Sequence, residues 1–176
     1  VVSSLVKIQT SADGRKNDLQ SISEKVLNRW KEEKGKTLLG LSTGITELDK
    51  RCHGFREGHY WVIGAYTNVG KTTFAAYLTA QLLKNYPTSS FAFFSVEMSD
   101  EQIFEKILNQ YFEADVFSIR DQIDQYRGRI DDLKHQKLFI YDNKRTVGDI
   151  RISLVDLRAQ NMLPKVIFVD FLQNIY

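Results

Sequence analysis

The residues Ala65-Tyr66-Thr67-Asn68-Val69-Gly70-Lys71-Thr72-Thr73 have the types and spacing needed to hold a chain of phosphates. A glycine before a lysine and a hydroxyl residue lets backbone N–H groups approach an anion and supplies a compact positive charge for the β and γ phosphates. It also sets the Thr72 hydroxyl where it can ligate a phosphate-bound magnesium ion. An apolar run, Tyr60–Gly64, precedes the loop and a helical pattern opens at Lys71, so the positive end of that helix adds to the attraction. Lys71 is the candidate catalytic cation. Thr67, Asn68, Val69, Gly70, Lys71, Thr72 and Thr73 are the candidate nucleotide contacts. The motif departs from the strict pattern at its first position, which is Ala65, with Gly64 one residue earlier.

Two carboxylates could complete such a site. Asp170 ends the apolar run Val166-Ile-Phe-Val, and ligands of open parallel sheets sit at that strand end. A carboxylate there is costly to leave unpaired, and a magnesium ion beside the loop is a natural partner, as is a turn or helix cap. Glu97 follows the run Phe91–Val96, and its position fits two roles. It can polarise a water attacking the γ-phosphate, or it can be a solvated acid favoured by the helix that starts after Ser99. Cys52, His53 and His59 lack the second ligand pair of a zinc site, and His135 reads as a surface residue.

The elements that must position these groups alternate. Phe91–Val96, Leu138–Tyr141 and Val166–Val169 join Tyr60–Gly64 as short apolar runs of the kind found in parallel strands. Helical patterns lie between them, over Lys71 to about Asn85, Asp100 to about Phe112, Asp121 to Leu133 and Val147 to about Gln160. Ser99 with Gln102 forms a capping box, and Thr146 precedes a first turn carrying Asp149. The alternation predicts an α/β fold with a mainly parallel sheet flanked by helices. Upstream, Leu19, Ile22, Val26 and Trp30 make one apolar stripe on a helix from Asn17 to about Lys34, after a turn at Ser11–Gly14. This divides the chain into a helical arm and linker helix, residues 1–37, and a core, residues 38–176. The stripe packs either on its own domain or on another molecule.

Composition bounds the rest. The chain has 176 residues, 43% hydrophobic and 26% charged, with two prolines, which describes a folded protein and excludes disorder as the main state. The net charge of +2 announces no dominating basic field, and one cysteine cannot form an internal disulfide. No apolar run is long enough for a transmembrane helix, and no signal peptide is visible, so a reducing cytoplasmic compartment and no membrane partner are expected. The start at Val1 and the apolar end at Tyr176 read as cuts within a longer protein.

Taken together, Leu41-Ser-Thr-Gly-Ile-Thr-Glu-Leu-Asp49, the loop Ala65–Thr73, Phe94-Ser-Val-Glu-Met98 and Val169-Asp-Phe-Leu-Gln173 resemble the RecA-type motor domain of DnaB-type replicative DNA helicases. The resemblance covers about Leu38 to Tyr176 and includes the alanine that opens the loop. It implies a RecA-like P-loop NTPase core, ATP and Mg2+ as cofactors, Glu97 as catalytic carboxylate, Asp170 as metal-site residue and Gln173 as a coupling residue. It further implies translocation on single-stranded DNA by a ring, a hexamer, in which the arm docks on the neighbouring subunit. Tyr66-Thr67-Asn68-Val69 replace the Arg-Pro-Ser-Met common in relatives, and Lys106 stands where relatives often have arginine. The family's DNA-binding loops lie beyond Tyr176, so the chain reads as half a motor that hydrolyses nucleotide poorly alone. The alternatives are another RecA-type ATPase of recombination or regulation, and a nucleotide-binding interaction module without helicase activity.

Overall fold

The computed structural model describes residues 18–66 and 68–170, so the expectations for the Ser11–Gly14 turn, Thr67 and Gln173 fall outside the described residues. The polypeptide divides between Lys36 and Thr37 into two units. The first holds α1, Leu19–Glu33, whose start is fixed by Asp18: its carboxylate accepts a hydrogen bond from the Ser21 N–H at 2.8 Å. No residue of α1 is buried; Leu19 is 82% and Trp30 60% exposed. The apolar stripe is formed on this helix, with Leu19, Ile22 and Trp30 exposed and Val26 half-buried.

The second unit opens on a clasp. Leu41 and Phe55 exchange both N–H···O bonds, at 3.0 and 2.7 Å, around the short helix α2, Thr46–Cys52. Glycine permits this approach, since a Cβ on Gly40 would lie 2.1 Å from the Phe55 carbonyl oxygen. Asp49 closes the clasp by accepting from the Ser42 hydroxyl at 2.5 Å and the Thr43 N–H at 2.9 Å. The Ser42 N–H in turn donates to the Tyr86 hydroxyl, just after α3, Lys71–Asn85.

A parallel sheet follows. Its strands are β1, Ser90–Ser95, β2, Lys137–Tyr141, and β3, Val166–Asp170, in the order β2-β1-β3. Between β1 and β2 run α4, Asp100–Phe112, α5, Val116–Asp121, and α6, Ile123–Leu133; α7, Val147–Ala159, joins β2 to β3. The central strand β1 is buried along its whole length, which its continuous apolar run requires. Phe91 and Phe93 pack into one core with Ala76, Leu78 and Leu82 of α3 and Ile103 and Ile107 of α4. Alternate residues point the other way, where Phe94 stacks on Tyr141 with ring centroids 4.8 Å apart. Burial and the Asp156 carboxylate both raise the pKa of the Tyr141 phenol.

Both predicted caps are made. Ser99 and Gln102 satisfy each other's backbone N–H groups, and so do Thr146 and Asp149. Ser99→Ala is expected to lower the unfolding free energy by about 1 kcal/mol, read from the urea midpoint at unchanged slope. The Thr146 hydrogen bond holds the Asp149 carboxyl below the ordinary carboxylate range. A depressed folded-state pKa means that this contribution is present above the unfolded value and is lost as pH falls through the folded one.

One helix is added and one expectation is corrected. The helix predicted over Asp121–Leu133 is present as α6, two residues shorter at its start, and a further helix, α5, precedes it; Gln122, φ −114° and ψ 32°, ends α5 and starts α6. Ile119 and Leu133 then both reach a second small core with Leu108 of α4, which one straight helix would not allow. The run Tyr60–Gly64 is not a strand: Tyr60 and Val62 are each 73% exposed, and the segment has no strand partner among the described residues. An apolar run reports a capacity for burial, whereas a strand also needs a paired edge and covering layers. Here the segment is tethered by Trp61, whose ring lies 4.8 Å from that of Phe55.

Candidate functional site

The start of α3 differs chemically from those of α1, α4 and α7. Those three begin at Asp18, Ser99 and Thr146, whose side chains accept first-turn N–H bonds, whereas α3 begins at Gly70 with no side-chain cap and no acid in its first turn. Its positive end is therefore presented to the loop. Gly70 has φ +100°, and a Cβ there would find nothing nearer than the Thr73 Cβ at 3.9 Å. Backbone angle, and not crowding, is what calls for glycine. Asn68 also adopts a left-handed conformation, φ +62°, which asparagine tolerates better than most residues. The Lys71 ammonium folds over the loop and donates to the carbonyls of Ala65 and Tyr66 at 3.1 and 3.3 Å. Val69 and Thr73 are exposed beside it.

The sheet brings the aspartate to this helix. The Thr72 hydroxyl donates to Oδ2 of Asp170 at 2.6 Å, across 98 residues of sequence. Register explains the meeting: Ser95 pairs with Asp170 at the ends of β1 and β3, and the Val96 N–H donates to the Asp170 carbonyl at 3.0 Å. A hydroxyl and a carboxylate oxygen side by side are hard donors, the set that suits magnesium when phosphate and water supply the other ligands. Among the described residues no three His, Cys, Asp or Glu side chains gather into a metal cluster; Cys52 is exposed and His53 Nδ1 lies 2.8 Å from the Thr37 carbonyl.

Glu97 lies in the bend that leaves β1, with its side chain exposed. The bend is held by a residue that sequence reasoning did not single out. Ser95 is fully buried, and its hydroxyl accepts from the Met98 N–H at 3.1 Å and donates to the Met98 carbonyl at 2.8 Å. Its sequence signals are its place in Phe94-Ser-Val-Glu-Met98 and a hydroxyl closing an otherwise apolar strand. Ser95→Ala leaves two part-buried backbone groups of Met98 without that partner and is expected to cost about 1 kcal/mol, measured by urea unfolding.

Residues 40–176 match the model of the family described as DnaB-like helicase C terminal domain. The replicative DNA helicase DnaB of Helicobacter pylori is 28% identical over 165 residues, which cover 88% of this chain and 34% of that protein. The protein of the same name in Rickettsia felis is 29% identical over 157 residues, 78% of this chain and 31% of that one. Its counterpart in Treponema pallidum is 28% identical over 169 residues, 89% and 36% respectively. The chain thus spans about a third of the length of the curated relatives it matches. With a parallel α/β core and a family match over most of its length, this chain belongs to the DnaB-like helicase C-terminal domain family.

Proposed function

We propose that residues 38–176 form the nucleotide-binding part of an ATP-driven replicative DNA helicase motor, preceded by an arm and linker helix over residues 1–37. The observation that carries this reading is the 2.6 Å hydrogen bond from Thr72 to Asp170, which sets the loop threonine beside the strand-end carboxylate. In the proposed site Lys71 and the backbone N–H groups from Thr67 to Thr73 hold the phosphates, and Lys71 offsets charge that grows during transfer. Thr72 and Asp170 hold Mg2+, which when bound neutralises phosphate charge. Glu97 takes a proton from the attacking water through a side-chain carboxylate oxygen. Gln173 couples the state of the site to the DNA-binding parts. A further proposal is that the motor works as a ring, a hexamer, on single-stranded DNA.

The helicases named among the relatives support this reading over a recombination ATPase or a module that merely holds nucleotide. Mg2+-dependent binding of a fluorescent ATP analogue to the chain tests it. Saturable binding that is weakened on chelating Mg2+ is expected; absence of binding by the folded chain refutes the site.

The arm's exposed stripe of Leu19, Ile22 and Trp30 is proposed to dock on a second copy. A groove lined by Leu83, Phe104, Ile130, Leu133 and Leu138 fits that role. The buried Oε1 of Gln136 at this groove has no hydrogen-bond partner and suits an indole N–H such as that of Trp30. Light scattering on the full-length protein should show assemblies that Ile22→Asp with Trp30→Ala reduces to smaller species; unchanged mass would exclude the arm as the joint.

A further inference from the structure

At the end of the sheet where the strands begin, away from Thr72 and Asp170, lies a solvent-open cavity of about 400 Å³. Lys137 starts β2, Lys165 directly precedes β3, and Arg158 stands in the last turn of α7; all three line the cavity, and among the described residues no acid does. The Lys165 N–H donates to the Ser90 carbonyl at 2.7 Å, and Ser90 pairs with Lys137, so both lysines flank the first residue of β1. None of the three cations shares an ion pair or side-chain hydrogen bond with another described residue. Arg158 has a local reason for its place, since a cation offsets the negative end of α7. The lysines have none of that kind, because strand ends carry little net dipole. All three are exposed, so water screens their mutual repulsion, and an anion placed among them is attracted by each.

We propose that this cavity is a second anion site, separate from the α3 loop, that takes a compact ligand with clustered phosphate groups, a di- or triphosphate. Ser89, Ser90 and Asn161 add neutral hydrogen-bonding groups to the three cations. Leu163 is the apolar wall, and among the described residues no aromatic ring lines the cavity. A base would therefore find no stacking platform, which favours phosphate groups alone over single-stranded nucleic acid.

The test is titration of the isotope-labelled chain with inorganic tripolyphosphate, without Mg2+, following backbone amide resonances in a Lys71→Ala background that weakens the α3 loop site. Saturable shifts at Ser89, Ser90 and Asn161 are expected. They should weaken by at least about tenfold in affinity when Lys137→Glu and Lys165→Glu are added, given two charge reversals at the ligand. The neutral pair Lys137→Gln and Lys165→Gln serves if charge reversal disturbs folding. No shift at these amides, or the same affinity in the lysine variants, overturns the proposal. Displacement of tripolyphosphate by a thymidine oligonucleotide that binds these amides more tightly overturns it in favour of a nucleic-acid track.

Discussion

Glu97→Gln in the full-length protein is expected to reduce ATP turnover by about a hundred- to ten-thousand-fold, the range spanned by a positioned general base. Nucleotide affinity should stay within a few-fold of the parent, because in the proposed site the phosphates are held by Lys71 and the start of α3 and not by Glu97. The substitution is close to isosteric and the side chain is exposed, so it leaves folding stability unchanged within about 0.5 kcal/mol. What changes is the basicity of one group at the end of the turn that Ser95 fixes. Steady-state turnover measured beside equilibrium nucleotide binding reads the two effects separately. Unchanged turnover would return Glu97 to the role of a solvated acid near α4. Parallel loss of binding and turnover would show that it supports the loop and performs no proton transfer.

The placement of these groups was legible in the sequence where local chemistry decides. Gly70 before Lys71, Ser99 with Gln102, and Thr146 with Asp149 each specify a helix start through contacts within a few residues, and α3, α4 and α7 begin there. The run Phe91–Val96 likewise announced a strand buried on both faces. Sequence reading failed where the decision is tertiary. Tyr60–Gly64 has the same apolar character as β1, yet only an edge to pair with and layers to cover it would make it a strand. The break at Gln122 exists because Ile119 and Leu133 share one small core, a fact that helical periodicity cannot contain. Asp170 was a candidate on general grounds, but its meeting with Thr72 depends on the register of β1 against β3. Ser95 stands inside the motif Phe94-Ser-Val-Glu-Met98, but its role is not legible there, because its work is done through the backbone of Met98.

Phe93→Ala is expected to be the most destabilising single substitution, at about 3–5 kcal/mol, since it empties the centre of the core at a fully buried ring. Against a domain stability of about 5–15 kcal/mol, this brings the chain close to its unfolding midpoint. The ring also starts a relay toward the loop. Phe93 stacks on Phe168 at 5.6 Å, Phe168 meets Phe55 edge-on at 6.3 Å, and Phe55 lies 4.8 Å from Trp61. Each such pair contributes about 0.5–1.5 kcal/mol beyond burial, and the last one tethers a segment that lacks strand pairing. Two variants separate the core from the tether. Trp61→Ala should cost little global stability, because Trp61 lies outside the buried core, yet it should weaken nucleotide binding by freeing the chain before Ala65. Phe93→Ala should lower both. Urea midpoints measured beside fluorescent-nucleotide affinity decide the matter: if Trp61→Ala binds nucleotide as the parent does, the aromatic relay ends at Phe55 and the loop is positioned by α3 alone.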